Sequence, residues 1–142
     1  MIREYPKRPW VGVGVVVWRG DDVLLVKRGK PPRLGSWSLP GGAQHLGETA
    51  AEAALREVAE ETSLAVDILG LIDVVDSIQR DDSGAIRYHY TLVDFAAQWR
   101  AGEPIAGDDA AEALFIPAAD LGQMALWSET HRIITASETL KR

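Results

Sequence analysis

The sequence predicts an α+β protein, an αβα sandwich built on a mixed, mostly antiparallel sheet. Three observations lead there. Four stretches carry strand patterning: Trp10–Trp18, Val23–Lys27, Val66–Ile78 and Ile86–Trp99. Two stretches carry helical spacing, one opening at Thr49 and one running from Ser128 to about Leu140. Polar turns at Gly20-Asp21-Asp22 and Arg80–Gly84 join neighbouring strands as antiparallel pairs. With 142 residues, the chain is expected to form one domain, 1–142, around one core.

Residues 1–8 are polar and contain Pro6, which reads as a loose arm. Trp10–Trp18 is β-branched and nearly continuous, a strand buried on both faces. Gly12 and Gly14 within it lack the third glycine and the following helix of a dinucleotide fingerprint. They are read as points of close backbone approach. Val23–Lys27 completes a hairpin. The Pro31-Pro32 segment is a loop holding Arg28, Lys30 and Arg33. Ser36–Leu39 is a short strand that feeds the turn Pro40-Gly41-Gly42.

In the first helix Thr49 and Glu52 form a capping box. Ala51, Leu55, Val58 and Thr62 fall on one face, the expected buried one. After it, Val66–Ile78 carries Gly70 as an expected bulge. Ile86–Trp99 alternates and should pair antiparallel with it. There Tyr88 and Tyr90 read as packing residues or as contacts to a base or ribose. Glu112–Ile116 is a further strand, and Pro117–Leu121 a helical turn. Ser128 is the expected cap of the last helix, with Ile133 and Ile134 facing inward.

The first helix breaks a local rule. Glu57, Glu60 and Glu61 stand at i, i+3 and i+4 in its last turn. Like charges at that spacing repel, and the helix dipole disfavours anions there. A solvated acidic face is the bland explanation. A divalent cation is the other, since hard cations prefer carboxylate oxygens and bind together with substrate phosphates.

The surrounding residues decide between these. Gly42 is followed after five residues by Glu48, and after seven more by Arg56-Glu57-Val58-Ala59-Glu60-Glu61-Thr62 and Ser63-Leu64. This run resembles the signature of the Nudix hydrolases at every specified position except Ser63, where the family has glycine. Trp37-Ser38-Leu39-Pro40-Gly41 resembles the family lead-in. The resemblance implies Mg²⁺-dependent hydrolysis of a nucleoside diphosphate linked to another group, with Mn²⁺ as a substitute metal. It implies Glu57, Glu60 and Glu61 as metal ligands, with Glu60 or Glu61 nearest the attacking water. Glu48 is an accessory group, and Arg56 orients a glutamate through bidentate contacts. Arg33, Trp37, Gly41 and Gly42 form the expected substrate side, Gly42 chiefly by letting the loop fold back. His45 in that loop reads as an exposed polar residue.

Family members often add an acidic residue from a later segment. Asp108, Asp109 and Glu112 are the candidates, with Glu112 preferred. The run from Gly107 to Ala113 is similar to that of ADP-ribose pyrophosphatase-like members, which favours an ADP-ribose-like or nucleotide-sugar substrate. A (deoxy)nucleoside triphosphate of the pool-sanitising kind is the alternative. A non-catalytic nucleotide-binding module on the same fold is the third reading. Ser63 should sit in the left-handed conformation at the helix end, at a cost of about 1 kcal/mol.

Composition bounds the rest. Hydrophobic content of 46% and charged content of 25% fit a soluble globular protein, and a net charge of −6 does not exclude the small-molecule nucleotide partner that the resemblance implies, provided a metal bridges the charges. They argue against a nucleic-acid or membrane partner. The absence of cysteine rules out disulfides and thiolate metal sites and fits the cytoplasm, the expected location. Trp10 and Trp127 are candidates for a homodimer surface or for core packing.

Overall fold

A computed structural model describes residues 3–31, 33–107 and 109–141. Strand β1 (Trp10–Arg19) is central. It turns at Gly20 into β2 (Asp22–Arg28), with Arg19 facing Asp22. Two short strands follow, β3 (Trp37–Ser38) on β2 and β4 (Gly41–Ala43) on β1. Helix α1 (Ala50–Thr62) leads to the long antiparallel ribbon of β5 (Ala65–Arg80) and β6 (Ile86–Ala101). Strand β7 (Ala110–Pro117) returns antiparallel to β2, and α2 (Ser128–Ser137) follows a 3-10 turn at Ala118–Gln123. In the sheet of described residues, β1 and β6 pair in parallel and the other pairings are antiparallel. The expected mixed, mostly antiparallel sheet is what forms.

Because β1 is buried on both faces, it feeds two cores. Val13, Val15 and Val17 pack with Ala53, Ala54 and Val58 of α1 on one side. Val16 and Trp18 pack with Ile133 and Ile134 of α2 on the other. The sheet therefore lies between two helices, as an αβα sandwich. Trp18 donates from Nε1 to Ser137 Oγ at 2.9 Å, and Ser137 donates onward to the Ile134 carbonyl at 2.6 Å. That chain satisfies the buried polar atoms and locks α2 to the sheet. No helix among the described residues is long and apolar enough to cross a membrane.

Four expectations change in physical detail. The N-terminal arm is docked rather than loose: the Tyr5 amide donates to Arg87 O, and its hydroxyl donates to Asp81. Ser128 is the first residue of α2, whose cap, Trp127, makes no side-chain capping bond. The buried face of α1 is Ala53, Ala54, Val58 and Thr62, and Leu55 is exposed. A stripe centred on 54, 58 and 62 covers the sheet better than one through Leu55, since successive helical residues rotate by about 100°. Gly12 and Gly14 make room for side chains rather than backbone. A Cβ at Gly12 would lie 2.9 Å from Leu92, and one at Gly14 would lie 2.3 Å from an Asp94 oxygen. The bulge expected at Gly70 is present as a register shift between Ile68 and Gly70.

Candidate active site

The helix that carries the glutamates is fixed at both ends. Thr49 Oγ1 accepts from the Glu52 amide, and the Thr49 amide donates to Glu52 Oε1, both at 3.0 Å. At the other end Ser63 adopts φ 63° and donates from its amide to Ala59 O at 3.0 Å. No basic residue occupies the last turn. The free carbonyls are met instead by the loop before β7, where Ile105 donates to Thr62 O at 2.9 Å and Gly107 donates to Glu61 O at 2.8 Å. Only glycine fits at 107, because a Cβ there would lie 2.1 Å from Glu60 O.

The buried stripe of α1 carries two acids with it. Glu57 and Glu61 lie on its flank toward β4, one turn apart. Gly42 of β4 is the space into which Glu57 fits: a Cβ at Gly42 would lie 2.5 Å from the Glu57 carboxyl carbon. Gly41 is shaped by its contact with β1, where a Cβ would lie 2.0 Å from Val13 O. Its amide donates to Glu61 Oε1 at 3.4 Å. Burial, then the charge and hydrogen bond of Glu57, push the Glu61 carboxyl up to about 8, and Asp109 adds to the push.

Arg56 supports this pair from behind. It donates to Glu48 through Nε at 2.5 Å and Nη2 at 3.0 Å, a bidentate grip. The same guanidinium reaches Glu57 Oε1 at 2.9 Å, Glu60 Oε2 at 3.1 Å and Ala43 O at 2.9 Å. Arg56, and secondarily the His45 amide, hold the Glu48 carboxyl well down, to about 2. Glu48 thus remains ionised as the arginine's anchor.

Glu57 and Glu61 line a small cavity of about 230 Å³ with Arg28, Gly41, Gly42 and Asp109. It opens into a cleft of about 1120 Å³ across β1, β3, β5 and β6. The cleft wall includes Arg33, Trp37, Tyr88, Tyr90, Asp94 and Trp127. Among the described residues no three acidic or histidine side chains form a ready metal cluster. The pair Glu57–Glu61 nevertheless fits a divalent cation. Two crowded carboxylates, one of them holding a proton far above its ordinary range, are relieved by a cation that also takes phosphate oxygens.

The chain from residue 8 to residue 137 matches the family model described as NUDIX domain. It belongs to the Nudix family. The ADP-ribose pyrophosphatase of Methanocaldococcus jannaschii is 38% identical over 117 residues, covering 82% of this chain and 67% of that protein. A Mycobacterium tuberculosis protein provisionally named 8-oxo-dGTP diphosphatase 2 is 40% identical over 99 residues, covering 69% of this chain and 66% of that protein. The structure of the NUDIX domain of Shewanella oneidensis NrtR, complexed with ADP ribose, superposes with a TM-score of 0.74 at 25% identity, covering 94% of this chain and 89% of that one.

In this Nudix hydrolase the expected residues divide into three groups. Glu57, Glu61, Gly41 and Gly42 line the small cavity, and Arg33 and Trp37 line the cleft beside it. Arg56 and Glu48 stand behind the cavity as described. Glu60 and Glu112 stand apart. Glu60 is 58% exposed and held by Arg56, so it joins the pair only by leaving that arginine. Glu112, the preferred late acid, faces Lys27 across β7 and β2 with Nζ at 3.4 Å and lines neither space. Asp109 lines both spaces while pairing with Lys30 at 2.8 Å. Strand pairing explains the difference: Glu112 lies opposite Lys27 in the ladder, whereas Asp109 precedes the strand, on the loop that caps α1. Asp108 lies outside the described residues.

Two residues that line these spaces, Arg3 and Asp94, escaped sequence reasoning. Arg3 lines both spaces and donates to the Tyr90 hydroxyl at 3.4 Å. Its signal was hidden because a polar N-terminus reads as an arm. Arg28, one of the loop cations singled out with Arg33, also lines both spaces. Asp94 lines the cleft and interrupts the apolar run from Leu92 to Ala97. A single acid in an apolar run was the available signal, and it went unread.

Proposed function

We propose that this protein hydrolyses the pyrophosphate bond of a nucleoside diphosphate linked to a second group, with an ADP-ribose-like molecule or nucleotide sugar as substrate. The observation that carries the reading is the Glu57–Glu61 acid pair in a small cavity that shares Gly41, Gly42, Arg28 and Asp109 with a large cleft. A polyanion cannot approach two carboxylates unaided. Glu57 and Glu61 would hold Mg²⁺ or Mn²⁺, which when bound neutralises phosphate charge and lowers the pKa of coordinated water. Ionised beside the cation, Glu61 would take the proton of the attacking water on a carboxylate oxygen left off the metal. Arg3, Arg28 and Arg33 lie where phosphate oxygens would rest. Arg56 holds Glu57 in place, and Arg56 is itself held by Glu48.

The M. jannaschii relative's name supports the ADP-ribose reading. A second reading, a pool-sanitising diphosphatase acting on oxidised deoxynucleoside triphosphates, is supported by the M. tuberculosis relative's name. The deciding experiment incubates the protein with Mg²⁺ and a panel that includes ADP-ribose, a UDP-sugar and 8-oxo-dGTP, and follows phosphate products. The favoured reading expects the highest kcat/KM on ADP-ribose. Higher kcat/KM on 8-oxo-dGTP would replace it with the second, and no turnover on any of them would leave a binding module.

A further inference from the structure

The buried polar or charged residues among those described are Thr62, Ser137 and Asp94. The first two are satisfied within the fold. Thr62 donates to Val58 O at 2.6 Å, and Ser137 bridges Trp18 and Ile134. Asp94, only 5% exposed, is different: its carboxylate makes no hydrogen bond within the described residues, and since none of their fully buried side-chain polar atoms lacks a partner, its oxygens open onto the large cleft that it lines.

Its surroundings do not compensate for this. The cation whose charge acts on it, Arg132, is already engaged, by Glu129 at 2.7 and 3.2 Å and by Asp73 at 3.0 Å. Burial pushes the Asp94 carboxyl up to about 6; Arg132 opposes this, and Asp73 and Glu129 reinforce it. An acid largely withdrawn from water with no protein partner costs stability, so a fold shaped for stability alone would place an apolar residue on this part of the cleft floor. The fold instead leaves room for it, since Gly14 provides the space in which the carboxylate lies.

The strand register places that carboxylate relative to the acid pair. Asp94 lies opposite Gly14, and Gly14 lies opposite Gly41, whose amide meets Glu61. Two strand spacings, about 10 Å, separate the Asp94 and Gly41 backbones. A nucleotide with its pyrophosphate at Glu57 and Glu61 would lay its nucleoside across this floor, between Trp37, Tyr90 and Trp127.

We propose that Asp94 is a specificity-determining residue, whose carboxylate accepts from two adjacent hydrogen-bond donors on the bound nucleotide. An ionised carboxylate has only acceptors, so it matches paired donors. Two parts of a nucleotide supply them: the vicinal diol of a ribose, and the N1–H and 2-amino edge of a guanine-type base. The adenine edge, one donor beside one acceptor, does not match. The assignment rests on the proposed nucleotide substrate.

The test compares wild type with Asp94→Asn and Asp94→Ala at pH 8. Each is assayed with Mg²⁺ on ADP-ribose, on ADP-ribose analogues lacking a hydroxyl of either ribose, on 8-oxo-dGTP and on its counterpart lacking the 2-amino group. Asp94→Asn should lower kcat/KM about 10- to 100-fold on the preferred substrate, chiefly through KM, because one charged hydrogen bond is lost and a donor now faces a donor. The melting temperature should hold or rise. If a ribose is the source, a deoxy analogue costs wild type the same factor and costs Asp94→Asn nothing further. If the base is the source, the analogue lacking the amino group behaves so. Unchanged kcat/KM in Asp94→Asn overturns the proposal, as does a lower melting temperature with equal losses on every substrate and analogue. Should wild type turn over no nucleotide, the hydrolase reading fails. Asp94 is then judged by calorimetric binding of ADP-ribose and 8-oxo-dGTP, where equal Kd values for wild type and variant overturn it.

Discussion

Arg56 grips Glu48 with both Nε and Nη2, and that grip leaves Nη1 to meet Glu57 and Glu60. One planar fork thus ties the loop before α1 to the acids on α1. A lysine carries the charge but not the fork.

Arg56→Lys should therefore lower kcat about 10- to 100-fold with a smaller change in KM, the range for losing a partner that orients site carboxylates. Steady-state kinetics on the preferred substrate measure this. Wild-type kcat in the lysine variant would show that charge alone suffices.

Glu61 links stability to pH and to metal. Its folded carboxyl is raised to about 8 against an ordinary value of 4.5, so the folded chain holds that proton more tightly than the unfolded chain. The stabilisation is fully present below the ordinary value and is lost as pH rises toward 8. Asp94, raised to about 6, follows the same trend in a lower window. In chelator, the melting temperature should fall between pH 6 and pH 8, the part of the range belonging to Glu61. Mg²⁺ should restore it. Glu61→Gln should flatten that fall and abolish turnover. A metal-free melting temperature that is level from pH 6 to pH 8 in wild type would show that Glu61 titrates normally.

The strands, the capping box and the acidic helix were legible because each is local: period-two patterning, Thr49 with Glu52, and three glutamates within five positions all lie in short windows. The αβα arrangement was legible because β1 is apolar on both faces and needs cover on both. What could not be read depends on pairing between distant segments. Leu55 turned outward because the packing of α1 against β1 and β5, not helical spacing alone, selects the buried stripe. Glu112 faces Lys27 rather than the acid pair because the β2–β7 register puts it there. Asp94 acquires meaning only when β6 lies beside Gly14.

The loop over the end of α1 can be tested at Gly107. A methyl group there would lie 2.1 Å from Glu60 O and must displace the loop, breaking the bonds from Ile105 and Gly107 to the last helical carbonyls. Gly107→Ala should cost about 1–3 kcal/mol, lowering the melting temperature by roughly 3–10 °C. Activity should fall too, since the same loop carries Asp109. Thermal melting at one pH checks the first effect, and an unchanged melting temperature would mean that the loop does not cap the helix.

Ser63 is the one departure from the family signature, and it adopts φ 63°. A side chain in that conformation costs about 1 kcal/mol, which glycine avoids. Ser63→Gly should raise the melting temperature by about 3 °C and leave kcat unchanged, because Ser63 touches neither cavity nor cleft. A lower melting temperature would show that the unfolded-state entropy of glycine outweighs the relieved strain.

The last acid is settled by a pair of variants. Asp109 lines the cavity with Glu57 and Glu61 and raises the proton affinity of Glu61, while Lys30 holds its own carboxyl down. Glu112 meets Lys27 at a half-exposed position, where an ion pair contributes little. Asp109→Asn should therefore lower kcat/KM at least tenfold and shift the acidic limb of the pH–rate profile, because it changes the charge beside Glu61. Glu112→Gln should leave both the profile and kcat/KM within about twofold of wild type. The reverse result, a large loss in Glu112→Gln with Asp109→Asn near wild type, would require β7 to slide against β2 when substrate binds, bringing Glu112 past Lys27 to the acid pair.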